Sequence, residues 1–422
     1  MKEGGFRAGQ AFGHGAARGR EGQRPTAGLL LLCPIAVALA VVAWNGGQGL
    51  AGLALLLLLP VLAARAGSRG GAVLVAFAYY GAAARAVPAI IKGFFPQLSM
   101  PTCLALWAAH AAVLALPWAL AHAAPDAPAW RRGAGMAAAL LLLSIPPLGL
   151  FHWASPLMAA GLLFPGWGWA GLLLTLLLMA LLAFGQFQAR RVQCALLAAA
   201  MLSVGANAAY RVPAPPPGWR AVSLELGRSP ELWSDQMEAR RMLLAARAMR
   251  ELEQGARVVI FPESVSGSNR RDQAPLWQAV ARAAAARGAT VLVGEETWGR
   301  DRRSFRNALV GYGAAADGAV LVSSRVPMPM GDWKFGMEEG AATEVFGDDV
   351  VALHGRRVAF SMCYEDFLFW THRGLLAGRA ELLVSATNQW PSAGTSAETG
   401  QDLSRAALAR LAGVALLTAK NH

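Results

Sequence analysis

The chain has 422 residues, 55% of them hydrophobic and only 15% charged, where an ordinary soluble domain is about a quarter charged. That balance excludes a simple soluble protein and points to a membrane. The net charge of +12 rests on arginine, because Lys2, Lys92, Lys334 and Lys420 are the only lysines. The basic residues gather in the N-terminal tail and in short connections between apolar runs, a topology pattern, and no nucleic-acid-binding motif accompanies them.

After a basic tail (1–26), seven runs approach the roughly 20 apolar residues that span a bilayer: 27–45, 48–64, 71–91, 102–122, 135–152, 158–186 and 192–209. The third contains Pro88 and the fifth Pro146 and Pro147, tolerable where neighbouring helices cover the freed backbone groups. Arg7, Arg18, Arg20 and Arg24 precede the first run, and Arg65, Arg69, Arg131, Arg132, Arg190 and Arg191 fall in the even-numbered connections. Positive residues favour the cytoplasm, so everything after Tyr210 is expected outside it. The expected organisation is a membrane domain over 27–210, a proline-rich linker "RVPAPPPGW" over 211–219 and an outer domain over 220–422.

The outer domain alternates strand and helix signals, which predicts an α/β fold. "AVSLEL" (221–226) reads as a strand, Trp233 to Gln254 as a helix stopped by Gly255, and "RVVIF" (257–261) as a buried strand. A helix over 274–286, a strand "TVLVGEE" and a hairpin of "NALVGYG" and "AVLVSSRV" follow. Then come "VVALHGRRVAFSMC", "AELLVSATN" and a helix over 401–411.

Cys33, Cys103 and Cys194 lie in apolar runs, which leaves Cys363 alone in the outer domain. A lone cysteine there is either a small core residue or a reactive thiol. A reactive thiol needs a base and an oxyanion partner. Glu263, at the end of a buried strand in "VVIFPES", is a candidate base, because strand C-terminal ends collect reactive groups in α/β sheets; it could equally open the next loop. His354 and His372 read as surface residues. No Cys/His spacing suggests a metal, and no cofactor pattern appears.

"VVIFPES", then "GRRVAFSMCYEDF", then "SATNQW" resemble, in order, the motifs of the carbon–nitrogen hydrolase (nitrilase) superfamily. The "CYE" triplet, the apolar front half and the closing "QDLSRAALARLAGVALLTAKN" resemble its apolipoprotein N-acyltransferase branch. The resemblance implies an α-β-β-α sandwich with a Glu–Lys–Cys triad, in which Glu263 is the general base, Cys363 the nucleophile and Glu365 a supporting acid. The family's lysine precedes a "PFGEY" element; in "VSSRVPMPMGDWKFG" that position falls on Ser324 or, one residue on, Arg325, while Lys334 follows the element. Arg325 or Lys334 is therefore the implied oxyanion cation. Members of the branch usually continue past "TAKN", and shorter chains with the "VPMP" variation resemble the plasmid conjugal transfer protein TraB group.

The implied activity is acyl transfer or amide cleavage through a Cys363 thioester. A membrane phospholipid would be the acyl donor, an amine or lipoprotein the acceptor, and conjugation proteins the partners. The implied location is the bacterial inner membrane, with the outer domain in the periplasm. The rival expectation is a catalytically decayed membrane scaffold or accessory factor of a conjugation apparatus.

Overall fold

A computed structural model describes residues 24–123, 127–128, 130–232, 234–268, 274–299, 303–329, 331–332 and 339–422. The apolar runs of the front half become α1 (Arg24–Trp44), a 3-10 stretch (Gly49–Leu57) leading into α2 (Leu58–Ala64), α3 (Arg69–Ala83), α4 (Val87–Phe94) and α5 (Met100–Ala115). α6 (Trp130–Leu142), α7 (Ala159–Leu163), α8 (Gly168–Phe184) and α9 (Arg190–Ala209) complete it. Side-chain caps mark two of the starts: Ser68 accepts from Gly71 N–H, and Ser99 from Thr102 N–H.

Among the described residues two helices are long and apolar enough to cross a membrane, Met100–Ala121 and Arg190–Ala209. α3 and α4, bent by 52° at their junction, make a third if they act as one span. The expected fifth run is helical only as far as the end of α6 at Leu142, because the chain turns ahead of Pro146 and Pro147. The expected sixth run is cut at Pro165-Gly166 into α7 and α8.

Between α6 and α7 the segment 151–155 is non-helical yet mostly buried. Irregular backbone survives in apolar surroundings only when its polar groups are satisfied, and here side chains do much of this. Tyr79 donates to Ala154 O at 2.9 Å, and a ring nitrogen of His110 lies 3.1 Å from Phe151 O. Tyr80 OH meets His152 Nε2 at 2.9 Å, and the indole N–H groups of Trp44 and Trp118 donate to the two tyrosine hydroxyls at 3.0 and 3.3 Å.

The second half is built on two sheets. The first runs β1 (Trp219–Ala221), β3 (Val258–Ile260), β4 (Thr290–Trp298), β5 (Ser304–Gly313), β6 (Ala316–Ser323), with β7 (Gly340–Ala341) also on β5. The second runs β2 (Ser223–Leu224), β11 (Ala415–Asn421), β10 (Leu382–Asn388), β9 (Arg356–Met362), β8 (Val350–Leu353). "AVSLEL" thus holds the last residue of β1 and the whole of β2, one strand in each sheet, with Val222 passing between them.

Strand alternation assigns the faces. Val258, Ile260 and Leu292 point at Val358, Phe360, Leu382 and Val384 of the other sheet. Val259, Phe261, Val291 and Val293 point outward onto α10 (Asp235–Glu253) and α11 (Ala274–Ala285). Beyond the second sheet, Ala359 and Leu383 join α12 (Arg373–Leu376) and α13 (Ser396–Ala412) in one apolar core shared with α1, α3 and α8. The layers therefore run helix, sheet, sheet, helix, and then the helical front half.

Candidate functional site

Glu263 leaves the end of β3 and Cys363 the end of β9, so the two sheets deliver them to the same edge. A Cβ on Gly294 of β4 would overlap the Pro262 carbonyl oxygen. Only a glycine lets the loop carrying Glu263 pass this close.

The Glu263 carboxyl and the Cys363 thiol each shift the titration of the other, which places the two side chains side by side. Asn388 N–H, at the end of β10, also points at the sulfur. The Cys363 backbone sits at φ 48°, in the left-handed region that non-glycine residues avoid. Such conformations persist where surrounding structure imposes them, and they concentrate at functional sites.

Burial raises the Glu263 carboxyl to about 8; the negative charges of Asp332 and Glu365 add to this, while Cys363 and Asn307 oppose it. Asn307 Nδ2 donates to Glu263 Oε1 at 3.2 Å, and its oxygen accepts from Ser264 Oγ at 3.3 Å. Asp332 is raised by burial to about 6, and Glu296 to about 7 by burial and then by Asp332. The Cys363 thiol is pushed well above its ordinary range by burial, then by Glu263 and Asp332. In this apolar edge both members of the pair are held neutral.

Arg325 and Glu365 are brought together, but behind the thiol. Both are fully buried, and they form an ion pair in which the Arg325 backbone N–H also donates to the carboxylate. Ser324 Oγ, Val326 N–H and Met362 N–H donate to the same carboxylate at 3.1, 3.0 and 3.1 Å. The guanidinium donates further to Phe360 O at 2.6 Å and Asp348 O at 3.3 Å. Glu365 is thus saturated and Arg325 fastens β9 to the segment after β6. Arg405, in α13, is a described cation whose charge is felt at Cys363, whereas Arg325 is engaged by Glu365. Lys334 lies outside the described residues.

His372 corrects an expectation. It is buried, with Nδ1 2.7 Å from Leu368 O, because the chain after Phe367 folds back under the second sheet. His354 occupies the turn between β8 and β9, half-buried, its ring nitrogen 2.9 Å from Thr290 Oγ1.

Sequence reasoning missed Asn307 and Asp332, which frame Glu263, and Asp366, Gln401 and Arg405, which frame the cysteine turn. Asp332 stands in the "GDW" of the quoted element, and Gln401 and Arg405 share a helix face four residues apart; nothing local marks Asn307. Among the described residues no group of three or more His, Cys, Asp or Glu side chains could hold a metal.

No family model matches the chain. Over 49% of its length it is similar to an amidase of the nitrilase superfamily from Nesterenkonia AN1, at 17% identity, a TM-score of 0.35 and 78% of that chain. A glutamine-dependent NAD+ synthetase from Acinetobacter baumannii overlaps 40% of this chain and 31% of that one, at 14% identity and a TM-score of 0.26. A probable conjugal transfer protein TraB of Sinorhizobium fredii is 29% identical over 90% of this chain and 95% of its own. The conjugal transfer protein TraB of Agrobacterium fabrum is 30% identical over 93% of this chain and 92% of its own. With that identity carried along nearly the whole of both sequences, the chain belongs to the conjugal transfer protein TraB family.

Proposed function

We propose that this protein is a membrane-bound acyltransferase or amidase that serves conjugal transfer and works through a thioester on Cys363. The observation that carries the reading is the meeting of Glu263, from one sheet, with a cysteine from the other held at φ 48°. The Glu263 carboxylate takes the thiol proton as sulfur attacks an acyl carbonyl. The C–S bond forms, the bond to the donor's leaving group breaks, and the leaving group departs with the proton from Glu263. An amine or water then attacks the thioester and gives a proton to Glu263; the C–S bond breaks, Glu263 returns that proton to the departing sulfur, and the acyl product and the thiol are released. Asn388 N–H meets charge on the sulfur, and Lys334 is assigned to the oxyanion. The apolar core shared by the membrane half and α13 supports a phospholipid acyl chain as donor. Arg131, Arg132, Arg190 and Arg191 support a cytoplasmic side for the starts of α6 and α9, with Cys363 in the periplasm.

Intact-mass measurement after incubation with phospholipid vesicles tests this. The wild type gains an acyl mass that Cys363→Ala lacks and that Glu263→Gln forms more slowly. No adduct with any phospholipid tried refutes the reading.

A scaffold within the conjugation apparatus is the second reading. It is favoured by the commitment of Arg325 to Glu365, which withdraws it from the triad position that the resemblance implies. Under it, Cys363→Ala transfers plasmid as often as wild type; under the enzyme reading transfer falls.

A further inference from the structure

An ordinary residue does not rest at φ 48° unless it is held there, and the hold on Cys363 comes from α13. Gln401 Nε2 donates to Cys363 O at 2.8 Å and to Asp366 Oδ2 at 3.0 Å, while Gln401 Oε1 accepts from Gln389 Nε2 at 2.9 Å. One turn later Arg405 Nη1 donates to Asp366 Oδ2 at 3.1 Å. Ser361 and Ser385 hydroxyls complete the Asp366 carboxylate at 2.6 and 2.9 Å. Gln401, Arg405 and Asp366 are 5%, 2% and 0% exposed. The four-residue spacing places Gln401 and Arg405 on one face of the helix.

Other positions of the same helix bear on the membrane half. Gly161 of α7 lies so close that a Cβ there would overlap the Ala407 carbonyl oxygen. Gly166 N–H donates to Arg410 O at 2.8 Å, and Arg410 Nη2 donates to Asn207 Oδ1 of α9 at 2.6 Å. Packed interiors pass displacements on rather than absorbing them. A shift of α13 by a few tenths of an ångström at Ala407 therefore reaches the Gln401 amide, whose bond weakens steeply with length and angle.

We propose that α13 is the element through which the membrane half sets the reactivity of Cys363, with Gln401 as the positioning residue that holds the thiol's backbone. This rests on the reading of Cys363 as the reactive thiol. The full chain in micelles is treated with iodoacetamide from pH 6 to 10, and alkylation at Cys363 is read by peptide mass spectrometry. Gln401→Met keeps the volume and removes the amide. Its Cys363 rate at neutral pH departs from wild type by about fivefold, the factor one ordinary hydrogen bond represents, and the dependence of the profile on Glu263 disappears. Gly161→Ala, which must displace Ala407, moves the profile in the same direction; where it does not fold, Arg410→Met, which cuts the tie to Asn207, takes its place.

Variants that melt like wild type and leave the Cys363 profile unchanged overturn the proposal. The assay needs no acyl donor. A wild type that never forms an acyl adduct while these variants shift the profile sinks the acyl-transfer reading alone. An adduct with an unmoved profile sinks the coupling alone.

Discussion

Cys363 and Glu263 are two acids side by side, and burial disfavours the ion of each. The base form of Glu263 fills only as pH rises through about 8. Alkylation of Cys363 should therefore climb across that value, and Glu263→Gln should remove the step while leaving the higher thiol titration. A profile identical in the two proteins contradicts the pairing. Arg325 makes a different demand. Arg325→Met leaves Glu365 buried without its cation, which costs about 3–5 kcal/mol. Arg325→Lys should restore little, because an ammonium cannot span Glu365 and the Phe360 carbonyl as the planar fork does; melting curves of the two variants check this. Glu263 and Cys363 were legible because each ends an apolar strand with a chemically odd residue. The role of Arg325 was not, since its partners Glu365 and Phe360 come from β9 and the turn after it, beyond the reach of local pattern.

At the level of elements, periodicity found most strands and both long helices of the α/β half, because alternating faces leave a clear trace in sequence. It merged β1 and β2, since a crossing between sheets at Val222 keeps the same alternation on both sides. It also missed β11, where "ALLTAKN" follows a helix without a turn longer than Gly413-Val414. In the helical front half, hydropathy marked the apolar runs but not where prolines break them, nor the buried segment 151–155. Tyr80 is central to that segment. Tyr80→Phe removes the hydroxyl that meets both His152 and Trp118, and two stranded polar groups cost about 1–3 kcal/mol. A melting point several degrees lower is expected, and an unchanged one would mean that 151–155 is held by packing alone.

Across the whole molecule, stability should fall with rising pH near neutrality. Glu263, Glu295 and Glu296 are raised to about 8, 7 and 7 and Asp332 to about 6, above the values near 4 of an unfolded chain. Buried His372, held neutral in the fold, opposes these acids below about pH 6.5, so stability falls as pH rises from about 6.5 to 8, where the acids bind extra protons in the folded chain. Glu295→Gln, away from the thiol and donating nothing to it, should flatten the fall in a series of melting temperatures; a wild-type series that rises with pH across that window contradicts the assignment. The division into an apolar front and an α/β back was plain in the sequence. Their common core was not, because Ala, Leu and Gly look alike whether they face lipid or another helix. One arrangement has a temporal consequence. β2 pairs only with β11, about 190 residues downstream, and β11 lies between β2 and β10. Non-local pairing of this kind is slow, and the second sheet cannot close before residues 415–421 have emerged. Until then α13 has no settled seat and the sulfur no fixed neighbour. The turn that carries Cys363 therefore reaches its final setting only once β11 has slotted between β2 and β10.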